Sequence, residues 1–290
     1  MATDAGTSHV LVDVDANGVP TLFLRGSWSP AMAAALARDD WQALAIFGVD
    51  WPDYTPLLPY ADRIGWLRVP FGPDSSAGLD ELLSLHTLQC TDVLDPPLDY
   101  RRLPRLRELE AIWHARDVAH LAHPGLRALL LHKAGGRDLR WIPDGSALES
   151  LELRGGAVAS LQGIDKARHL QALRAVDLRL CADIGEVPAL AALEELELDC
   201  GRVALDDVDW LAALPRLRRV LVGCPVARID WRMLGAHPSL ASIGITATAG
   251  YAESDAQILD GLRAGGRETR SLQRFEAQAP GFAVEFARAH

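Results

Sequence analysis

The chain has 290 residues, 49% of them hydrophobic, with a formal net charge of −10. That is enough material for one or two domains with a sizeable core. The acidic balance argues against non-specific binding to nucleic acid or anionic membrane, both of which need a basic surface. No run approaches the roughly 18 apolar residues of a membrane helix. Met1 to Val10 has neither a basic n-region nor a long apolar stretch. A cytoplasmic protein is therefore expected. Only Lys133 and Lys166 are lysines, the other basic side chains being arginine, and with the abundant Ala and Gly this reads as GC-rich bacterial coding.

In chain order, residues 9–25 read as a β-hairpin: two alternating segments joined at Asn17-Gly18, a strong turn signal. Asp13-x-Asp15-x-Asn17-Gly18 also looks like half a calcium loop, but its twelfth place is Leu24, where a bidentate Glu is required. Ser29-Pro30 reads as an N-cap and first-turn proline opening a helix through about Arg38. Residues 1–40 are thus expected to form an N-terminal cap. Trp51 to Tyr60 and the stretch from Asp74 read as loops.

The centre of the chain repeats itself. From Val158 to Val176 an apolar residue recurs at every third position, a period that neither helix nor strand sustains. A six-residue figure, apolar at places one, four and six, is read at Leu106-Leu109-Ala111, Leu126-Leu129-Leu131 and Leu148-Leu151-Leu153. It is read again at Leu173-Val176-Leu178, Leu193-Leu196-Leu198, Leu217-Val220-Val222 and Leu240-Ile243-Ile245. Weaker copies precede these at Leu82-Leu85-Thr87, Ile64-Leu67-Val69 and Trp41-Leu44-Ile46. From Leu82 the copies start 24, 20, 22, 25, 20, 24 and 23 residues apart. Such spacing predicts coils stacked on one core. The cysteines at 181, 200 and 224 are 19 and 24 apart, so they follow the repeat. With Cys90 they are expected to be free, buried thiols rather than a disulfide framework or metal knuckle.

Ser254-Asp255 caps a further expected helix to about Leu262, stopped by Ala264-Gly-Gly. Residues 251–290 are assigned to a C-terminal helical cap, because Leu272, Phe275, Phe282, Val284 and Phe286 are too apolar for a solvated tail.

The figure L-x-x-L-x-L-x-x-N/C-x-L resembles that of leucine-rich repeat proteins, in particular the short bacterial internalin-type repeats. The resemblance covers residues 41–250 and is firm from about 82. Cys90 and Cys181 are read at the ninth place, where the family prefers Asn or Cys, while the other copies carry His114, Ala134, Gly156, Gly201 and Pro225 there. It implies an α/β repeat solenoid, an arc with a parallel β-sheet on its concave face and 3₁₀ turns, short helices or extended segments on the convex side.

Outward places of the figure supply the candidate site. The fifth place is read as Glu110, Glu152, Asp177 and Glu197 in four of the six middle copies, an acidic stripe widened by Glu194, Glu195 and Asp199. Consecutive like charges on neighbouring strands cost stability unless offset. Arg107, Arg127, Arg174 and Arg218 at the second place, with Arg154 and Arg179 at the seventh, could make the stripe an ordinary solvated ion-pair network. Otherwise it docks a basic partner, with Trp113 as an apolar anchor. The expected function is a non-catalytic, monomeric protein-binding module without cofactors. Its specific form would be an immunity protein that neutralises a basic toxin or effector. The competing reading is a metal-dependent enzyme built on His114, Asp117, His120 and His123. Pro124 after His123 and Pro238 after His237 argue that repeat context, not a metal, dictates that histidine. Cys90-Thr-Asp92 matches the Cys-x-Asp of leucine-rich-repeat ubiquitin ligases, but there the motif sits in a separate helical domain for which this chain has no room. No G-x-G-x-x-G, Walker loop, G-x-S-x-G or H-E-x-x-H occurs.

Overall fold

The computed structural model describes residues 8–73, 75–92, 94–114, 120–249, 251–276 and 280–287. It forms two compact units, Met1–His132 and Lys133–His290.

The first unit opens with β1 (His9–Val14) and β2 (Pro20–Gly26), paired antiparallel. Their turn forms at Asn17-Gly18 because Gly18 adopts φ +80° and the Asp15 carboxylate accepts the N–H groups of Asn17 and Val19 at 2.8 and 3.0 Å. The bond from Val19 is the main reason the Asp15 carboxyl lies below its ordinary pKa. Helix α1 (Pro30–Leu36) starts where Ser29 accepts the N–H of Met32 at 3.3 Å. β2 then pairs parallel with β3 (Ala43–Val49), so the hairpin is also the first strand of the coil series. β4 (Trp66–Phe71), β5 (Thr87–Cys90), β6 (Glu108–Ile112) and β7 (Ala128–His132) follow, each parallel to its predecessor. Short 3₁₀ turns at Thr55–Arg63, Leu79–Glu81 and Tyr100–Arg102 return the chain between strands.

In the second unit β8 (Ser150–Arg154), β9 (Ala172–Leu178), β10 (Glu195–Cys200), β11 (Arg219–Val226) and β12 (Ser242–Ala247) are again parallel neighbours. Returns are 3₁₀ turns at Ile164–Lys166, Val187–Ala189 and Asp209–Ala213, and helix α2 (Trp231–Ala236). Gly163 and Gly185 open two of them with φ +95° and +57°. A Cβ at either would fall within 2.8 Å of the preceding coil's backbone, so the coils stack closer there than any side chain allows.

The end of the chain adds a β-hairpin to the expected cap helix. Helix α3 (Asp255–Ala264), with a complete capping box at Ser254 and Gln257, is followed by a hairpin of β13 (Thr269–Glu276) and β14 (Pro280–Phe286). β14 adds antiparallel to β12. Phe282, Val284 and Phe286 are buried because their spacing of two is a strand's period. Trp231 and Tyr251 meet the Phe282 ring edge-on, with centroids 5.6 and 5.4 Å away.

The strand register corrects two copies of the repeat. Leu173 pairs with Leu151 and Leu196, and Ala175 with Leu153 and Leu198. The figure is therefore Leu170-Leu173-Ala175, three residues earlier than read from the sequence. Likewise Leu88 pairs with Leu67 and Leu109, giving Leu85-Leu88-Cys90. First places from Ile64 become 64, 85, 106, 126, 148, 170, 193, 217 and 240, and subtraction gives more even steps of 21, 21, 20, 22, 22, 23, 24 and 23. Cys90 thus fills the buried sixth place, and the apparent ninth-place matches at Cys90 and Cys181 disappear. Both misreadings arise where apolar residues recur every three positions, which leaves the phase undetermined. In β9 a bulge compounds this: two residues, Val176 and Asp177, stand opposite one, Asp199, with Asp177 at φ +53°.

All four cysteines are free and buried. Burial pushes the Cys90 thiol up to about 11. Cys224 Sγ lies 3.4 Å from the Cys200 amide nitrogen and accepts its proton, so a thiol stands in for the missing polar ladder.

His123 and His237 hold equivalent places in the two units. Nε2 of His123 bonds the carbonyl of Leu103 at 3.1 Å, and its Nδ1 accepts the Gly125 N–H at 3.1 Å. Nε2 of His237 bonds the carbonyl of Leu214 at 3.2 Å, and its Nδ1 accepts the Ser239 N–H at 3.4 Å. Each neutral ring thus ties one coil's turn to the coil before it. Burial lowers both pKa values. Their contribution is fully present above the unfolded value of about 6.5 and is lost as pH falls through the lowered folded value. Replacing His237 by Ala should cost about 1–3 kcal/mol, since it removes two bonds to backbone groups, although the Leu214 carbonyl keeps the Leu217 N–H at 3.1 Å. Urea unfolding of wild type and His237→Ala between pH 7.5 and 5 should also show a shallower loss of stability with acid in the variant.

Candidate interaction face

Within each strand the residues at the fourth and sixth places of the repeat point inward, which leaves alternate side chains on the opposite face of the sheet. In the second unit β8 to β12 set these side chains in rows. One row is Ser150, Ala172, Glu195, Arg219 and Ser242; the next is Glu152, Arg174, Glu197, Leu221 and Gly244.

The second row corrects the expected ladder of carboxylates. Arg174, not Asp177, stands between Glu152 and Glu197. Its guanidinium lies 3.8 Å from Glu152, 3.2 Å from Glu195 and 3.9 Å from Glu197. Arg219 reaches Glu195 at 3.3 Å from the other side, and Arg154 pairs with Glu152. Asp177 sits in the bulge, half-exposed, bonded to Arg179 at 3.0 Å. Asp199 is exposed at the far end of β10. Five carboxylates (Glu152, Asp177, Glu195, Glu197 and Asp199) therefore face four guanidiniums (Arg154, Arg174, Arg179 and Arg219). This is a chequered surface with a local balance of −1 rather than an acidic stripe.

Beside it lies a shallow depression of about 220 Å³ lined by Arg174, Glu195, Glu197, Arg219, Leu221 and Ser242, among others. Leu221 is 45% exposed because Gly244 leaves its flank open; a Cβ on Gly244 would come within 2.8 Å of Leu221 Cδ1. Arg219 and Ser242 were not singled out in the sequence, and Leu221 stands there only as an apolar member of the fifth-place column. The even 22- and 23-residue steps from Leu148 to Leu170 to Leu193 would have placed Arg174 correctly.

In the first unit, Glu110 on β6 bonds Nε2 of His132 at 2.7 Å. Trp113, just past β6, is half-buried, and its backbone N–H donates to the His132 carbonyl at 2.9 Å. The metal reading meets a positive obstacle: both ring nitrogens of His123 are committed to backbone groups. Asp117 lies outside the described residues, among which no three His, Cys, Asp or Glu side chains come together to hold a metal ion. Cys90 is buried, and burial raises its thiol pKa, which disfavours the thiolate that a nucleophile needs.

Arg174 offsets three carboxylates at once, although as a half-exposed group its effect is modest. Replacing it with Met should lower stability by about 1 kcal/mol at low ionic strength, and added salt should recover most of the loss by screening the carboxylates. Denaturation midpoints of wild type and Arg174→Met at low and high NaCl measure this.

No family model matches the sequence, and no curated protein matches it. Among solved structures, an internalin, InlF from Listeria monocytogenes strain 4b F2365, is similar at 17% identity. Its TM-score is 0.55, with 80% of this chain and 68% of that one covered. InlP of Listeria monocytogenes matches more weakly, at 11% identity and TM-score 0.45 over 91% of this chain and 78% of that one. InlJ of the same organism gives 12% identity and TM-score 0.39, over 84% and 69%. No helix among the described residues is long and apolar enough to cross a membrane. Parallel strands one per coil, 3₁₀ returns and the InlF likeness together establish a leucine-rich repeat fold.

Proposed function

We propose that the chain is a non-catalytic protein-binding module and that the outward face of β8 to β12 is its docking surface. The observation that carries this reading is the chequered array around Arg174, Glu195, Glu197 and Arg219 beside the exposed Leu221. Charged groups alternating at strand spacing fix the register of a partner and penalise mismatched ones. An exposed leucine over an open glycine offers an apolar seat within that polar frame. The net charge of −10 favours attraction of a basic partner over distance, while the nearly balanced local face selects among such partners. A basic toxin or effector fits that description, and neutralising one is the specific role we would test first.

The triple variant Glu152→Lys, Glu195→Lys, Glu197→Lys tests the face. Immobilised wild-type chain should retain a basic protein from source-organism lysate, in a salt-sensitive manner, and the variant should lose it by at least tenfold while keeping its circular dichroism. An unchanged set of retained proteins would remove the face from the reading.

A further inference from the structure

Two strands, β1 in the first unit and β13 in the second, each have one described neighbour, and they are finished differently. β13 carries Arg270 and Arg274, the latter bonded to Asp255 at 3.0 Å, and its register is interrupted between Thr269 and Ser271. Charge and irregular pairing are the usual means of keeping a sheet edge from adding another strand. β1 has neither. It pairs with β2 over six consecutive residues without a bulge, contains no Pro, Lys or Arg, and leaves Leu11 and Val14 57% and 58% exposed.

The direction of its free backbone groups follows from the hairpin. The Asp15 N–H donates to Val19 at 3.0 Å, so the Asp15–Val19 pair faces inward. Hydrogen-bonded pairs alternate along an antiparallel ladder. Asp13, Leu11 and His9 therefore bond to β2, while Val10 and Val12 present their N–H and C=O groups to an edge that no other described strand covers; the Val14 N–H is taken by the Asp13 carboxylate at 2.7 Å. A second strand must pair with Val10 and Val12. If that strand is another β1 running antiparallel, the permitted registers are few. Centring on Leu11 sets Val10 against Val12 of the second copy and Leu11 against Leu11. It also sets His9 against Asp13, twice by symmetry. Shifting by two in either direction places Leu11 against His9 or against Asp13.

We propose that two copies of this chain associate through β1, antiparallel and centred on Leu11. The valine pairs exchange the backbone hydrogen bonds. The Leu11 pair and both His9–Asp13 pairs fall at the non-hydrogen-bonded sites, where opposed side chains approach most closely. The sequence reading expected a monomer; this edge is built for a two-fold partner, and a two-fold contact closes on itself instead of growing a filament. A single six-residue strand contributes less than a standard-size interface of about 1,600 Å², so the dimer is a weak one.

Sedimentation equilibrium of the full chain from roughly 10 µM to 1 mM reads the mass directly. The expected result is a monomer–dimer equilibrium. His9→Asp or Asp13→His alone should weaken the dimer about tenfold by setting like residues opposite each other, and the two substitutions together should restore it. Val12→Pro, which removes an edge-facing N–H, should abolish it while the circular dichroism stays unchanged. A monomer throughout that range overturns the proposal. So does a dimer indifferent to the single substitutions, or one that the double exchange fails to restore.

Discussion

A coil of about twenty residues cannot bury its own apolar side. It has neighbours only before and after it in the chain, so its first, fourth and sixth places must meet theirs in register. In each unit that condition is satisfied strand by strand: Leu44 beside Leu67 beside Leu88 in the first, Leu151 beside Leu173 beside Leu196 in the second. Everything else in the structure accommodates this stacking. Gly163 and Gly185 let backbones approach, and 3₁₀ turns return the chain within a few residues.

Stacking creates a second requirement, because each turn buries polar backbone groups that water no longer reaches. A regular ladder of asparagines would answer it, and this chain lacks one. It uses a mixed set of substitutes instead: an imidazole bridging two coils at His123 and again at His237, and the Cys224 thiol accepting the Cys200 amide. A histidine that spends both ring nitrogens on backbone is a structural element, and that is the part His123 plays.

The charged face shows how register governs chemistry. A three-residue change of phase at β9 exchanges Asp177 for Arg174 between two glutamates. A ladder of repelling carboxylates becomes a network in which one guanidinium serves three of them. The face is then suited to selecting a partner by pattern rather than by total charge. The bulge that carries Asp177 past the row also frees it to pair with Arg179.

The amino-acid sequence alone determined the period, the fold class, the N-terminal hairpin and the caps of α1 and α3. Each rests on local chemistry: apolar recurrence, an Asn-Gly turn, a serine before a helix. It also held the answer at Leu170, since the even spacing of Leu148, Leu170 and Leu193 competed with the motif read at Leu173. The phase of the repeat was decided only in three dimensions. Where every third residue is apolar, several alignments satisfy the pattern equally, and only hydrogen bonds to both neighbouring strands choose among them. The same holds for β14. Its residues had strand alternation, but whether they would pair with β12 or lie beneath a helix depended on which edge the last coil left open.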